Sequence, residues 1–494
     1  MTASTYPDPD VGTTSVLSVE QNGINIIAES ERKGHPRDLF WPWCAANISV
    51  LGLSYAAFVL YFGVSFWQAV IASLIGTVLS FLLVGLVSLA GKKGSAPTMA
   101  LSRAAFGVRG NAIPGLVSYL TLVGWETVLV ALSTLATATI FRDLGWSSGN
   151  ATKVLAFLIV VALIVGAGVL GFDLVMRLQK VLTIATVVLT VAYIALTFHK
   201  IDTNAFSALK SGPFSAVVGS FVLMATAFGL SWVNSAADYS RYLPRNASSG
   251  GVVWWTAFGG AVAPVILLVY GFLLIGSQPK LLDGIGADPL GTLAEILPNW
   301  FLLPYAVVVV GGLVAGAVLD IYSSGLTLLT LGVPMPRWAA ALLDGVLMII
   351  GAIYVVWFAK SFIGPFQGFL ITLGVPLASW CGIFLADLWM RRRDYHEADL
   401  FDPTGRYGSA NPVAVVLILA ATFIGWGLVV NTFKGFGWEG YLLDPFGLGG
   451  KTGKWAFANL GVAFAFVVSF LVYALLCRSR VRHQDELEPE PAQV

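Results

Sequence analysis

Charge is scarce in this chain. Of its 494 residues only 11% are Asp, Glu, Lys or Arg, against roughly 25% in a soluble average. That excludes ordinary soluble domains, which need far more polar surface to cover their outside. Cysteine is limited to Cys44, Cys381 and Cys477. Each lies in or beside an apolar stretch, and no spacing among them makes a disulfide framework or a metal site. Histidine is limited to His35, His199, His396 and His483, all in tails or expected loops. With no H-E-x-x-H and no histidine inside an apolar segment, no catalytic residue, resident metal or cofactor is assigned. A net charge of +1 gives no ground for a nucleic-acid or acidic partner. The first 38 residues lack an early apolar core followed by a small-residue cleavage site, so the first apolar segment is expected to remain as an anchor.

Apolar residues are abundant, at 57%. Apolar runs recur from residue 40 to residue 477 without a hydrophilic block, which implies one membrane domain in a lipid bilayer. A span needs about 20 mostly apolar residues. Windows of that size fall at roughly 40–62, 65–90, 113–140, 152–171, 178–198, 213–236, 252–276, 301–331, 337–358, 362–389, 412–431 and 455–477, an all-α membrane protein of about twelve transmembrane helices. The expected layout is a polar N-terminal tail over 1–38, a transporter domain over 39–478 and a C-terminal tail over 479–494. With both ends cytoplasmic, 19 of the 28 Lys and Arg fall inside, including Arg391–Arg393 and Arg478–Arg482. That asymmetry favours an even number of spans, both termini cytoplasmic, in a plasma membrane or a bacterial inner membrane. Lipid-facing and protein-facing apolar surfaces look alike, so no oligomeric state follows.

Polar residues inside spans carry the functional information, because irregular backbone is tolerated in a membrane only beside a cavity or in a protein interior. In the first span Asn47, Ser49, Gly52 and Ser54 cluster near the middle. In the sixth, Gly229, Ser231, Trp232, Asn234 and Ser235 precede Asp238 and Arg241. Five spans separate the two clusters, which fits a five-plus-five inverted repeat with a broken first helix in each half. Small residues also let helices pack closely, so either segment alone has that plainer reading. Three acids lie at membrane depth: Glu126, Asp238 and Asp320. An acid there usually faces a cavity or a partner. Asp238 and Arg241 are expected to form a structural i,i+3 ion pair. Asp320 and Glu126 are candidates for substrate contact or for carrying a proton, or are buried protonated acids. Trp41, Trp43, Trp67, Trp300 and Trp338 read as interfacial anchors. Trp125 and Trp232 lie inside spans beside small and polar residues. Two indoles flanking a site would stack on a flat heteroaromatic ring, with Asp320, Ser49, Asn47 and Asn234 to satisfy its edge.

Several stretches carry a family likeness: Phe66-Trp67, then Gly91 to Gly107 with Pro97, Met99, Ser102-Arg103 and Phe106-Gly107; Gly124-Trp125; Ala237 to Pro244; Asp320 to Leu326; and Asp399 to Gly408. In this order the chain resembles the nucleobase–cation symporters, in their cytosine–purine permease branch. The resemblance implies the leucine-transporter-like fold with two extra C-terminal helices. It also implies cation-driven uptake of a nucleobase or related heterocycle, with Trp125 and Trp232 near the residues that sandwich the base. It places Ser49 where relatives carry a polar side chain in the broken first helix, and Asp320 where they often carry an Asn.

One departure bears on the driving ion. By the same resemblance, a sodium site would combine carbonyls of the first span, here Ala45 and Ile48, with hydroxyls of the eighth. The corresponding stretch, Val314 to Ala317, has none. Proton coupling is therefore expected rather than sodium coupling, with Asp320 or Glu126 as carrier. A channel would want a repeated filter or a ring of charges, which is not seen. The serious alternative is a carrier of another solute on the same fold: allantoin, a hydantoin, a thiamine-type pyrimidine or an amino acid.

Overall fold

The computed structural model describes residues 22–286, 288–359 and 362–487. The start of the expected N-terminal tail, the end of the C-terminal tail and Lys360, counted above on the outer face, lie outside them. Every regular element among the described residues is helical. Among the described residues nine helices are long and apolar enough to cross a membrane, from Phe66–Gly94 to Gly364–Met390. The first and twelfth expected spans pass as bent pairs: Pro36–Asn47 with Leu51–Leu60 at 63°, and Leu460–Leu476 with Arg478–Glu486 at 57°. The eleventh is Pro412–Trp426, only 15 residues and shorter than the roughly 20 a full span needs. The twelve expected windows thus each hold a helix, eleven of full length or bent and one short.

Edges shift where local chemistry dictates. The second span starts at Phe66 because Ser65 accepts the Gln68 N–H while Gln68 reaches back to the Ser65 backbone, a capping box. The fifth span, Phe172–Thr197, begins six residues earlier than expected and is separated from the fourth, Asn150–Leu170, by Gly171 alone. Gly171 turns the chain with φ +91°, a conformation that costs glycine little.

Burial sorts the helices into an inner and an outer set. Within their apolar windows the sixth, eighth and tenth spans are 78%, 72% and 89% buried, while the fourth, fifth and ninth are 39%, 28% and 39%. The exposed faces of the outer set are Leu, Ile and Val, such as Leu155, Leu158, Val181, Val188 and Ile350, as a lipid environment requires. Trp67, Trp300 and Trp338 are exposed as anchors should be, but Trp43 is fully buried. Its anchor reading is corrected: it is a core residue packed on Trp232 and Tyr239.

Two of the stretches that carried the resemblance, Gly91 to Gly107 and Asp399 to Gly408, pack together at one end of the bundle. Val108 and Arg109 donate backbone N–H groups to Gly408 and Ser409 carbonyls, and Asn411 donates to Phe106 O. Arg103 caps the eighth span through Thr330 O and lies over the Phe401 ring. Beside them Arg32 reaches Lys92 O, Leu243 O and Ser95 Oγ, and Arg245 donates to Glu29 and Glu397. The hydrogen bond from Arg245 holds the Glu29 carboxyl below its ordinary value.

Candidate functional site

The first span stops at Asn47 and restarts at Leu51. Ile48 closes the first half on Cys44 O, and Ser49 Oγ accepts the Leu51 N–H at 3.3 Å. Asn47 donates its amide to Trp43 O at 2.9 Å, so among the described residues its carbonyl oxygen has no partner. The eighth span, Asn299–Thr330, leans directly on this break. A Cβ on Gly312 would meet Ile48 O at 3.0 Å and the Cα of Ser49 at 3.3 Å, so a side chain there would press on the break.

The sixth span breaks less openly. Its helix Phe214–Ala227 ends where Phe228 takes φ −104°, ψ −109°, and a 3-10 turn runs over Gly229–Ser235 before Ala236–Ser240 resumes the helix. Ser80 Oγ accepts the Gly229 N–H, and Ser231 folds back on Thr226 O at 2.6 Å. The two breaks fall in the spans where they were expected. One is a kink with a three-residue gap, the other a tightened turn.

A cavity of about 50 Å³ lies between them, room for roughly three or four waters. Asn47, Ser49, Gly52 and Tyr55 line it from the first span, Trp125 and Leu129 from the third. Phe228 and Trp232 close it from the sixth, Gly312 and Leu313 from the eighth. No charged side chain is among its walls. Trp232 is held edge-on by Trp43, and Trp125 by Phe366 and Phe369. Trp125 Nε1 is buried and has no hydrogen-bond partner among the described residues.

The structure therefore brings together Asn47, Ser49, Trp125 and Trp232, and it sets Asn234, Glu126 and Asp320 apart. Asn234 turns to the third span, donating to Ser118 Oγ at 2.8 Å. Asp320 lies seven residues past Leu313 along an unbroken helix, about 10 Å along its axis. It is 1% exposed, and its Oδ2 has no partner among the described residues. Glu126 faces away from the cavity, receiving Ser324 Oγ at 2.7 Å. The expected Asp238–Arg241 ion pair is corrected. Asp238 accepts from the Thr98 N–H and hydroxyl, both at 2.7 Å, while Arg241 donates to Gly23 O and the hydroxyls of Tyr242 and Tyr322. Thr98, which opens the short helix Thr98–Leu101, reached Asp238 ahead of its own helix.

Sequence reasoning missed Tyr55, Leu129, Phe228 and Gly312 as cavity walls. It also missed Asp344, a fully buried acid in the ninth span, Arg337–Ile353. An acid in an otherwise apolar segment was the available signal. Asp344 accepts from Tyr119 and meets the same Ser324 hydroxyl as Glu126.

Around Ala45 and Ile48 the eighth span offers backbone only. No hydroxyl residue occurs from Ala306 to Leu319. A Cβ on Gly316 would lie 3.6 Å from Ala46 O, and buried Gln179 of the fifth span donates to Ala315 O at 2.8 Å.

Comparisons with known proteins bear on this arrangement. The chain is 24% identical over 480 residues, 95% of its length and 99% of the relative's, to a protein named putative purine-cytosine permease YxlA in Bacillus subtilis (strain 168). It is 26% identical over 408 residues, 78% of its length and 85% of the relative's, to the cytosine permease of Escherichia coli (strain K12). In fold it matches Mhp1, a nucleobase-cation-symport-1 family transporter in a closed conformation with bromovinylhydantoin bound, with a TM-score of 0.70 and 19% identity over 96% of this chain and 98% of that one. A Na+-coupled sialic acid symporter shares the fold with a TM-score of 0.60 and 12% identity over 91% of each chain. These matches make the fold leucine-transporter-like. The family model for permeases of cytosine/purines, uracil, thiamine and allantoin matches residues 26–440, across both broken helices and the indole-lined cavity between them; the chain belongs to that family of membrane transporters.

Proposed function

We propose that the chain is a proton-coupled symporter importing a nucleobase or related flat heterocycle by alternating access. The observation that carries this is the uncharged cavity between the two broken spans, walled by Trp125 and Trp232. A flat neutral ring gains from indole faces and from the Trp125 N–H and the Asn47 and Ser49 side chains at its edge. An amino acid would bring a carboxylate and an ammonium to walls that hold no charge, which disfavours that alternative. The names of the relatives support a cytosine- or purine-like solute, and the family description extends the class to uracil, thiamine and allantoin.

Proton coupling is supported by the absence of side-chain oxygens from Ala306 to Leu319, the part of the eighth span that meets the Ala46 and Ile48 carbonyls. Sodium wants several oxygen ligands. Glu126 and Asp320, buried in the membrane domain outside the cavity walls, remain the carriers proposed. The chain would sit in a plasma membrane, or an inner membrane if bacterial, with both ends in the cytoplasm.

Binding to purified protein of cytosine, hypoxanthine, uracil, a hydantoin, allantoin and a thiamine-type pyrimidine tests the solute class. One or more should bind and compete with the others, whereas binding of amino acids alone would overturn the reading. Uptake stimulated by sodium at fixed pH and membrane potential would overturn the proton half of it.

A further inference from the structure

Ser324 stands between two carboxyl groups. Its Oγ is 2.7 Å from Glu126 Oε1 on the third span and 2.9 Å from Asp344 Oδ2 on the ninth. A hydroxyl carries one proton and donates it once. The second contact needs a hydrogen from the carboxyl itself, so at least one of Glu126 and Asp344 is a carboxylic acid. Were Ser324 to donate instead to Ile321 O, 3.4 Å away, both would have to be. Tyr119 meanwhile donates to Asp344 Oδ1, which leaves Oδ2 as the oxygen turned to Ser324.

A second observation lies outside this chain of bonds. Asp320, on the helix that carries Ser324, is 1% exposed, has an unpartnered Oδ2 and lies within electrostatic range of Glu126. Glu126 Oε2 is likewise buried without a partner. The titratable groups facing the pair are Tyr119 from the third span and Asp320 from the eighth. The fourth span brings only Lys153 in its first turn, and the tenth only Asp387 near its far end, paired there with Arg391. Arg337, two turns before Asp344, donates to the carbonyls of Gly168 and Val169. Among the described residues none of the three acids has an ion-pair partner, so full ionisation inside the membrane domain is expensive and protons supply the balance.

We infer that Glu126, Ser324 and Asp344 form one proton-binding site, in which an exchangeable proton is shared by carboxyls of the third and ninth spans across a hydroxyl of the eighth. The inference rests on the proton-coupled reading above and adds Asp344 to it. When the proton leaves for water, Ser324 satisfies one carboxylate only and two like charges face each other across it. The tie joining three helices then loosens. Glu126 directly follows Trp125, so a shift of the third span at the proton site also moves a wall of the solute cavity.

Infrared difference spectra of solute-free purified protein across a pH step test the site. The wild type should show a protonated-carboxyl C=O band that titrates, is missing from both E126Q and D344N, and is displaced in S324A. Absence of a titrating band from the wild type, its survival unchanged in both carboxamide variants, or its loss from D320N alone would overturn the inference. S324A removes a single oxygen and keeps the test open should a carboxamide variant fail to fold; an unmoved band there also overturns the shared site. Uptake into proteoliposomes separates the two readings. If the pair titrates as described but a proton gradient drives uptake of none of the solutes that bind, the coupling reading falls and the site stands. If the gradient drives D344N as it drives the wild type, the site falls and the coupling reading stands.

Discussion

The indole of Trp43 stands edge-on to that of Trp232, with ring centroids 5.8 Å apart and planes at 82°. Trp43 is fully buried and abuts Tyr239 on its other side at 5.5 Å. The wall of the cavity on the side of the sixth span is therefore two indoles deep. Trp232 cannot swing away unless the first half-helix moves with it, which ties the shape of the cavity to the two spans whose helices break.

On the proposed function Trp232 would be the stacking surface and Trp43 its support. Base-on-aromatic stacking is worth about 1–3 kcal/mol, so Trp232→Ala should weaken heterocycle binding roughly 5- to 150-fold. Trp43→Phe keeps an aromatic ring behind Trp232 and should cost less. Calorimetric titration with the tightest-binding member of the panel checks both. An unchanged affinity in Trp232→Ala would end the stacking account.

On the same proposal Trp125 would have a second role in addition to its ring face. Its Nε1 is buried with no partner, and a typical hydrogen bond is worth about 0.5–1.5 kcal/mol net. Trp125→Phe should therefore lower affinity by roughly two- to tenfold for a solute with a ring carbonyl. It should change little for an analogue without that acceptor, and Trp125→Ala should weaken both. Equal losses for the two solutes in Trp125→Phe would assign the residue to stacking alone.

The eighth span can be asked to accept sodium. Gly316 has Ala46 O at 3.6 Å from an added Cβ, and its nearest neighbour is the flexible end of Leu129 at 3.1 Å. Gly316→Ser would place a hydroxyl beside the first-span carbonyls. Solute binding by this variant should become sodium-stimulated at fixed pH while the wild type stays indifferent. Sodium stimulation of the wild type would contradict the expectation directly.

Glu439, in the loop between the eleventh and twelfth spans, gives a pH dependence with a definite sign. Its Oε1 accepts the Thr372 hydroxyl at 2.8 Å, its Oε2 has no partner, and burial raises the carboxyl above its ordinary value of 4.5. A folded-state value above the unfolded one means the folded protein holds the proton more tightly. Stability from this group is full below the ordinary value and is lost as pH rises through the raised one. Glu439→Gln keeps an acceptor for Thr372 and removes the buried charge. Its melting temperature should exceed that of the wild type near pH 8, and the advantage should shrink as the buffer approaches pH 4. A constant difference across that range would show that folding does not raise the Glu439 carboxyl above its unfolded value.

Hydropathy placed a helix in all twelve windows because an apolar run is a local property of the chain. It misjudged the eleventh, where Pro412–Trp426 stops short. The polar clusters of the first and sixth spans correctly marked the breaks, since small and polar residues are what an unwound segment requires. Asp238 and Arg241 show the limit of such reasoning. Their i,i+3 spacing put them on one face of a helix, but Thr98, 140 residues away in sequence, offered Asp238 two donors at 2.7 Å. Trp43 was indistinguishable from an interfacial anchor because nothing in its own span reveals that the sixth covers it.

By itself, the sequence determined that this is a helical membrane protein with broken first and sixth spans, because span length and polarity are written in runs of neighbouring residues. It also fixed the want of hydroxyls between Ala306 and Leu319 of the eighth span, which no folding can supply. Only the tertiary structure decided which polar residues share a space. The rotation of each helix about its axis is set by packing against its neighbours, and that rotation turned Trp125 into the cavity while turning Glu126, the next residue, onto Ser324. The meeting of Glu126 and Asp344 across one hydroxyl joins residues 198 and 20 positions from Ser324. No local pattern encodes that relationship, since it exists only once three helices lie side by side.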